Sequence, residues 1–279
     1  MERPTASHWK GKTVGSSAIN GSPHTQPMDA VYQEIRKVAR TIVGRYPQPN
    51  FYSAHPLIIK NSQDLLKSDP SIGKLRKEMA GCLDDNAGHG MGHAEKVAID
   101  AGALVMIEGR LAGLSEEQTH RNLFLAHCSG LLHDICRKEK FHAKKGAETA
   151  KRILQRYPLR PKEIEAVSTA IRNHEAFARQ KKMPDPQTRT LSDCLYDADK
   201  FRWGPDNFAH TVWDMVEILS PPLNVFIARY PKGMNLLRKI RYTFRSQTGK
   251  KFGPQFIDLG ICIGEELYEV IRSEFLGSS

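Results

Sequence analysis

From Met28 onward the apolar residues of this 279-residue chain recur at spacings of three and four, the period of a helix rather than a strand. Val31, Ile35, Val38, Ile42 and Val43 form one stripe, and Val97, Ala101 and Leu104 form another on a helix that His93 opens. Ser115, with Gln118 three residues on, has the pattern of a capping box and starts a helix carrying Leu123 to Ile135. Ala147, Ala150, Leu154 and Tyr157 extend the pattern to Pro158 and Pro161. Ile164, Val167, Ile171 and His174 make the next stripe, running to about Ala178. The polar stretch 179–190 reads as a loop, and a helix follows through Leu191, Leu195 and Asp199. Asp206 to Leu276 reads as about three further helices. No period-two series, no alternation of strand and helix and no internal repeat interrupts this, so the expected fold class is all-α. Residues 1–27, rich in Ser, Gly, Pro and Thr, lack apolar periodicity and read as a flexible, disordered tail. Residues 28–279 read as one domain.

Composition narrows the setting. A hydrophobic content of 40% over this length suffices for a core without disulfide or metal staples. No apolar run approaches the roughly 18 residues of a membrane span, and the N-terminus has no apolar core of a signal peptide. The five cysteines form no CxxC pair and are odd in number, which fits reduced thiols and a cytoplasmic protein. The net charge of +10 is the unusual bulk property, and it points to an anionic partner: nucleic acid, an anionic membrane surface or a phosphorylated small substrate. The charge is concentrated. Arg137 to Lys145 holds five basic residues against Glu139, and Arg229 to Lys251 holds eight with no acid.

The most demanding local feature is "GLLHDI", where His133 and Asp134 end a mostly apolar helix. A buried, unpaired carboxylate costs several kcal/mol. On a helix His133 and Asp134 diverge by about 100°, so both can reach one point beside the axis. Asp199 shares a face with Leu191 and Leu195, whereas Asp197 points away. His174 falls on the stripe of Ile164, Val167 and Ile171. Each residue alone has an ordinary explanation, a core histidine bonded to a carbonyl or a paired, capping aspartate. Four helices that each turn such a group inward share one explanation, a divalent cation held by imidazoles and carboxylates.

The order His93 … His133-Asp134 … Asp199 resembles the H…HD…D signature of the HD-domain superfamily of metal-dependent phosphohydrolases. The local contexts are similar too: "GHGMGHAEKVAIDAGAL" around the first histidine, "HCSGLLHDI" around the pair and "LYDADKF" around the last aspartate. "FHAKKGAETAKRIL" and "AIRNHEAF" resemble segments that often carry additional histidines. The likeness covers about residues 85–205. It implies that His93, His133, Asp134 and Asp199 are ligands of one metal. It also implies that His142 and His174 either complete a second metal site or face the substrate as acid or base. His89 competes with His93 but precedes the helix. His127 fits a core or supporting role, and Asp197 a supporting or capping one. Many relatives continue the last motif with Lys-Leu-Asp. Here Lys200-Phe201-Arg202 follows, so no catalytic partner attached to that variant carries over.

Two imidazoles among the ligands suit Mn, Co, Ni, Fe or Zn better than Mg. Arg137, Lys138, Lys144 and Lys200 follow the metal-binding pairs closely and are candidates to hold a substrate phosphate. The expected activity is hydrolysis of a nucleotide or other small phosphorylated metabolite. Two alternatives stand beside it. A two-iron site using both His142 and His174 would make the chain an oxygenase, an activity found in some members of the superfamily. A binding protein for nucleic acid or another polyanion would use the basic segment 229–251, which has few aromatics for base stacking.

Overall fold

A computed structural model describes residues 29–83 and 90–276. The stretch 1–27, expected to be a tail, and His89 lie outside the described residues. Among the described residues every regular element is a helix: α1 Ala30–Arg45, α2 Asn50–Ala54, α3 Pro56–Ser68, α4 Pro70–Leu83, α5 Met91–Leu111, α6 Glu116–Leu132, α7 His142–Leu154, α8 Pro161–Arg172, α9 Pro186–Phe201, α10 Val212–Leu219, α11 Leu223–Ile240 and α12 Gln247–Val270. Two short π-helical segments, Asn207–Thr211 and Ile271–Phe275, precede α10 and continue α12. No described helix is long and apolar enough to cross a membrane.

Helices α5 and α6 form the centre, with α9, α8 and α3 packed around them. Both central helices are buried on most sides, so polar residues on them must find partners inside the protein. Their close approach depends on small residues. A Cβ on Gly130 would lie 2.4 Å from the Cα of Ala98, and one on Gly102 would lie 2.3 Å from Ser62 Oγ. In this seam Ser62 Oγ donates to Ile99 O at 2.8 Å, and its oxygen meets His127 Nε2 at 3.0 Å. His127 is thereby a core residue linking α3 to α6, and burial pushes its imidazole down to about 3. Ser115 and Gln118 form both arms of the capping box that starts α6.

Two helices end sooner than their apolar stripes suggest. The stripe through Leu123 runs to Ile135, but α6 stops at Leu132. His133 keeps a helical backbone while three-residue turns take over, Ile135 N donating to Leu132 O and Arg137 N to Asp134 O. Likewise α8 stops at Arg172 rather than near Ala178. At both ends a histidine Nδ1 captures a carbonyl of the last turn, His133 at Gly130 O and His174 at Ile171 O. A side chain therefore satisfies groups that further helix would otherwise have paired. The loop expected over 179–190 is shorter, because Asp185 caps α9 at Thr188 N and Pro186 opens the helix.

The C-terminal helices are bound tightly to α9. Phe201 stacks on Phe256 with ring centres 4.0 Å apart. Asp197, facing away from Asp199, accepts from Arg245 N, Ser246 N and Ser246 Oγ at 2.7–2.8 Å and so fixes the start of α12. Three of the eight basic residues of the segment 229–251 are engaged in packing, while Arg229, Lys232, Lys239, Lys250 and Lys251 are exposed. Arg241 pairs with Asp258 through two bonds of 2.6 and 3.0 Å, Arg238 pairs with Glu265, and the Arg245 guanidinium lies 3.3 Å from the centre of the Tyr196 ring.

Candidate metal centre

Five elements deliver six polar groups to one buried spot. The first turn of α5 contributes His93, the turn after α6 contributes His133 and Asp134, and the first residue of α7 is His142. The turn after α8 contributes His174, and the last turn of α9 contributes Asp199. His93 Nε2 is 3.2 Å from His133 Nε2 and 3.4 Å from Asp199 Oδ1. Asp199 Oδ1 is also 3.8 Å from His133 Nε2. Asp134 divides its oxygens. Its Oδ2 faces His133 Nε2 at 3.5 Å, while Oδ1 faces His174 Nε2 at 3.3 Å and His142 Nε2 at 3.7 Å. Two groups of potential ligands result, His93 with His133 and Asp134, and Asp134 with His142 and His174. Asp134 belongs to both.

Protonation follows from the backbone contacts. A carbonyl oxygen can only accept, so Nδ1 of His133 donates to Gly130 O at 2.7 Å, and Nδ1 of His174 donates to Ile171 O at 2.6 Å. In a neutral ring this leaves the lone pair on Nε2, aimed at Asp134, the orientation a metal ligand needs. Burial pushes the His133 imidazole down to about 4 against the opposing pull of Asp134 and Asp199, so the ring is neutral at physiological pH. Burial and then His174 push His142 down to about 4 as well. Burial alone would raise the Asp199 carboxyl. Lys200, His93 and His133 outweigh it and hold Asp199 ionised, well below the usual carboxylate range.

This donor set fits a divalent cation on two observations. The buried His174 Nε2 makes no hydrogen bond despite its proximity to Asp134. Furthermore, two sets of three imidazole or carboxylate donors, with Asp134 in both, have their ligand atoms within 4.8 Å of one another. Arg137 Nη1 donates to His142 Nε2 at 3.2 Å and is 3.8 Å from Asp134 Oδ1.

Residues 90–204, which contain all six groups, match the family model of the HD domain. The chain carries an HD domain. HD domains as a family bind divalent metals and are generally phosphohydrolases. No curated protein and no solved structure matches the chain.

The structure distributes the four cationic candidates unequally around the HD domain's histidines. Arg137 reaches the cluster. Lys138 and Lys144 are exposed at its edge. Lys200 is buried against Asp199, its Nζ 5.1 and 5.8 Å from the centres of the Tyr196 and Trp203 rings. One supporting network escapes sequence reasoning. Buried Arg202, at the end of α9, bonds Asp100 of α5, Asp206 and the Tyr52 hydroxyl, and Tyr52 donates to Asp100 at 3.0 Å. It ties the helix end bearing Asp199 to the helix bearing His93. Its only sequence signal is Asp100, an acid on the apolar stripe of Val97 and Ala101.

Proposed function

We propose that the chain is a metal-dependent phosphohydrolase acting on a nucleotide or another small phosphorylated metabolite. One observation carries the reading: within an HD domain, Asp134 turns one oxygen to His133 and the other to His142 and His174. In this reading His93, His133, Asp134 and Asp199 hold one divalent cation, and their mixed nitrogen and oxygen donors suit Mn, Co, Ni, Fe or Zn. Bound there, the cation supplies Lewis acidity to water and to a phosphoryl oxygen.

The chain's own residues do the rest. Gly130 O holds the His133 ring in the tautomer that presents Nε2 to the centre. Lys200 balances the charge of Asp199 in a buried position, where unpaired it would be costly. Arg137 is the group best placed to bind a phosphoryl oxygen, by a charge-assisted hydrogen bond beside Asp134 and His142. Exposed Lys138 and Lys144 add positive field at the rim and draw an anionic substrate in. His174 exchanges a proton with the reacting oxygen through Nε2, and His142 shares that face.

The sharing of Asp134 between two histidine groups also fits two cations, and with iron this favours the oxygenase as the second reading. One experiment separates them. The purified protein is stripped with chelator, restored with Mn, Co, Ni, Fe, Zn or Mg, and assayed for release of phosphate, pyrophosphate, tripolyphosphate, nucleoside or nucleoside monophosphate from mono-, di-, tri- and cyclic nucleotides, and of phosphate from sugar phosphates. Metal-dependent release is the expected result. No release from any substrate, with iron bound in the untreated protein, would reject hydrolysis in favour of the oxygenase.

A further inference from the structure

Among the described residues three that are not glycine have a left-handed backbone: Phe141 at φ 60°, Phe177 at φ 62° and Ser220. For a bulky side chain this conformation is strained, and such strain persists only where the surroundings impose it. Both phenylalanines are also exposed, at 66% and 52%, and neither belongs to the hydrophobic core. Each thus breaks two local rules at once, and glycine would obey both.

Their positions are not arbitrary. Phe141 immediately precedes His142, and as the N-cap residue of α7 it caps nothing with its side chain. Phe177 follows His174 by three residues, a reach of about 11 Å at most. The rings of His142 and His174 are 5.3 Å apart. His142 is also the most accessible of the six clustered groups, at 13% of its side chain against 0–8% for the others, so the centre opens on the side that carries Phe141. The Phe177 loop is closed by Asn173, whose side chain bonds the backbone of Lys181 in both directions at 2.7 and 3.0 Å. Lys140 Nζ lies 5.2 Å from the centre of the Phe141 ring, bringing a cation to the same rim.

We infer that Phe141 and Phe177 are aromatic lips of the metal centre that stack on a planar aromatic group of the substrate, such as a nucleobase. The inference rests on the phosphoester reading of the centre and narrows it from phosphorylated metabolites in general to those bearing an aromatic ring. Stacking on an aromatic side chain tolerates any base, so the lips select for a ring and not for one nucleotide.

The test uses the methylenephosphonate analogues of the four ribonucleoside 5′-monophosphates and of ribose 5-phosphate, whose phosphonate bond a phosphohydrolase does not cleave. Each is titrated calorimetrically into manganese-restored wild type, Phe141→Gly and Phe177→Gly. At least one base-bearing ligand should bind wild type about tenfold more tightly than the ribose compound. Each substitution should remove about fivefold or more of that preference and leave ribose binding unchanged. Both variants should melt at or above the wild-type temperature, because glycine relieves the left-handed strain. Phe141→Asn and Phe177→Asn, which tolerate the same backbone, should repeat the loss if either glycine variant misfolds. Equal affinity of wild type for all ligands would overturn the inference, as would variants that weaken base-bearing and base-free ligands alike. Failure of the hydrolysis panel, by contrast, would reject the phosphohydrolase reading alone and leave a base preference in these titrations intact.

Discussion

At the residue scale the centre is a matter of which nitrogen carries a proton. His133 and His174 each use Nδ1–H on a carbonyl three residues back, and this commits Nε2 to Asp134. His174→Ala removes one such lone pair without touching His93, His133 or Asp199. If the centre holds one cation, metal content should stay constant while turnover falls by about 10²-fold or more, the range of a lost acid–base group. A fall from two metal equivalents to one, measured by elemental analysis, would assign His174 as a ligand instead. A second titrating residue bears on stability. Buried Glu163 accepts from Arg121 and Arg160, including the Arg160 backbone, and these bonds overcome burial to take its carboxyl from 4.5 down to about 2. A depressed carboxylate stabilises the fold above its unfolded pKa, and that contribution is lost as pH falls from about 4.5 toward 2. Glu163→Gln should cost about 1.5–3 kcal/mol at pH 7. It should also flatten the decline in melting temperature across that window. An unchanged acid decline in the variant would contradict this assignment.

At the element scale the centre depends on how closely α5 and α6 approach. Gly130 serves twice, passing against the Ala98 backbone and offering its carbonyl to His133. A methyl group there would meet Ala98 backbone atoms, which cannot rotate away. Gly130→Ala should therefore destabilise the protein by about 1–3 kcal/mol, seen as a lower melting temperature, and weaken metal binding as His133 shifts. Wild-type values for both would mean that the helices are not this close. The elements were mostly legible in the sequence, because a helix that buries one face must repeat its apolar residues every three to four positions. The capping box at Ser115 and Gln118 was legible for the same local reason. The ends of α6 and α8 were not. His133 and His174 continue their apolar stripes, and nothing in periodicity reveals that their side chains take carbonyls the next turn would have used. Phe141 and Phe177 were equally hidden, since a left-handed backbone normally announces itself by glycine or asparagine.

At the scale of the whole molecule the question is what a net charge of +10 is for. The segment 229–251 suggested a polyanion surface. In the folded protein Arg238 and Arg241 answer acids on α12, and Arg245 lies on Tyr196 with its Nη1 donating to Asn173 O beside His174. The segment thus joins α12 to the HD domain. Arg241→Gln should accordingly lower stability by up to about 1 kcal/mol, the value of an exposed pair, and leave retention on a heparin column unchanged. Weaker retention at constant stability would restore the polyanion reading. The positive groups that do reach the centre are few, Arg137 and Lys200 above all. This matches a small anion drawn into a buried site rather than a long one laid across a surface.

All of this converges on Asp134, the carboxylate that both histidine groups share. The decisive measurement is the metal content of wild type and Asp134→Asn after both are dialysed against the same manganese buffer. Asparagine keeps the shape of the side chain and removes its charge. Wild type should retain at least about one equivalent and the variant much less, because the substitution removes the one anionic donor common to both groups of potential ligands. Equal retention in both proteins, or no retained metal in wild type, would contradict a metal centre at this site.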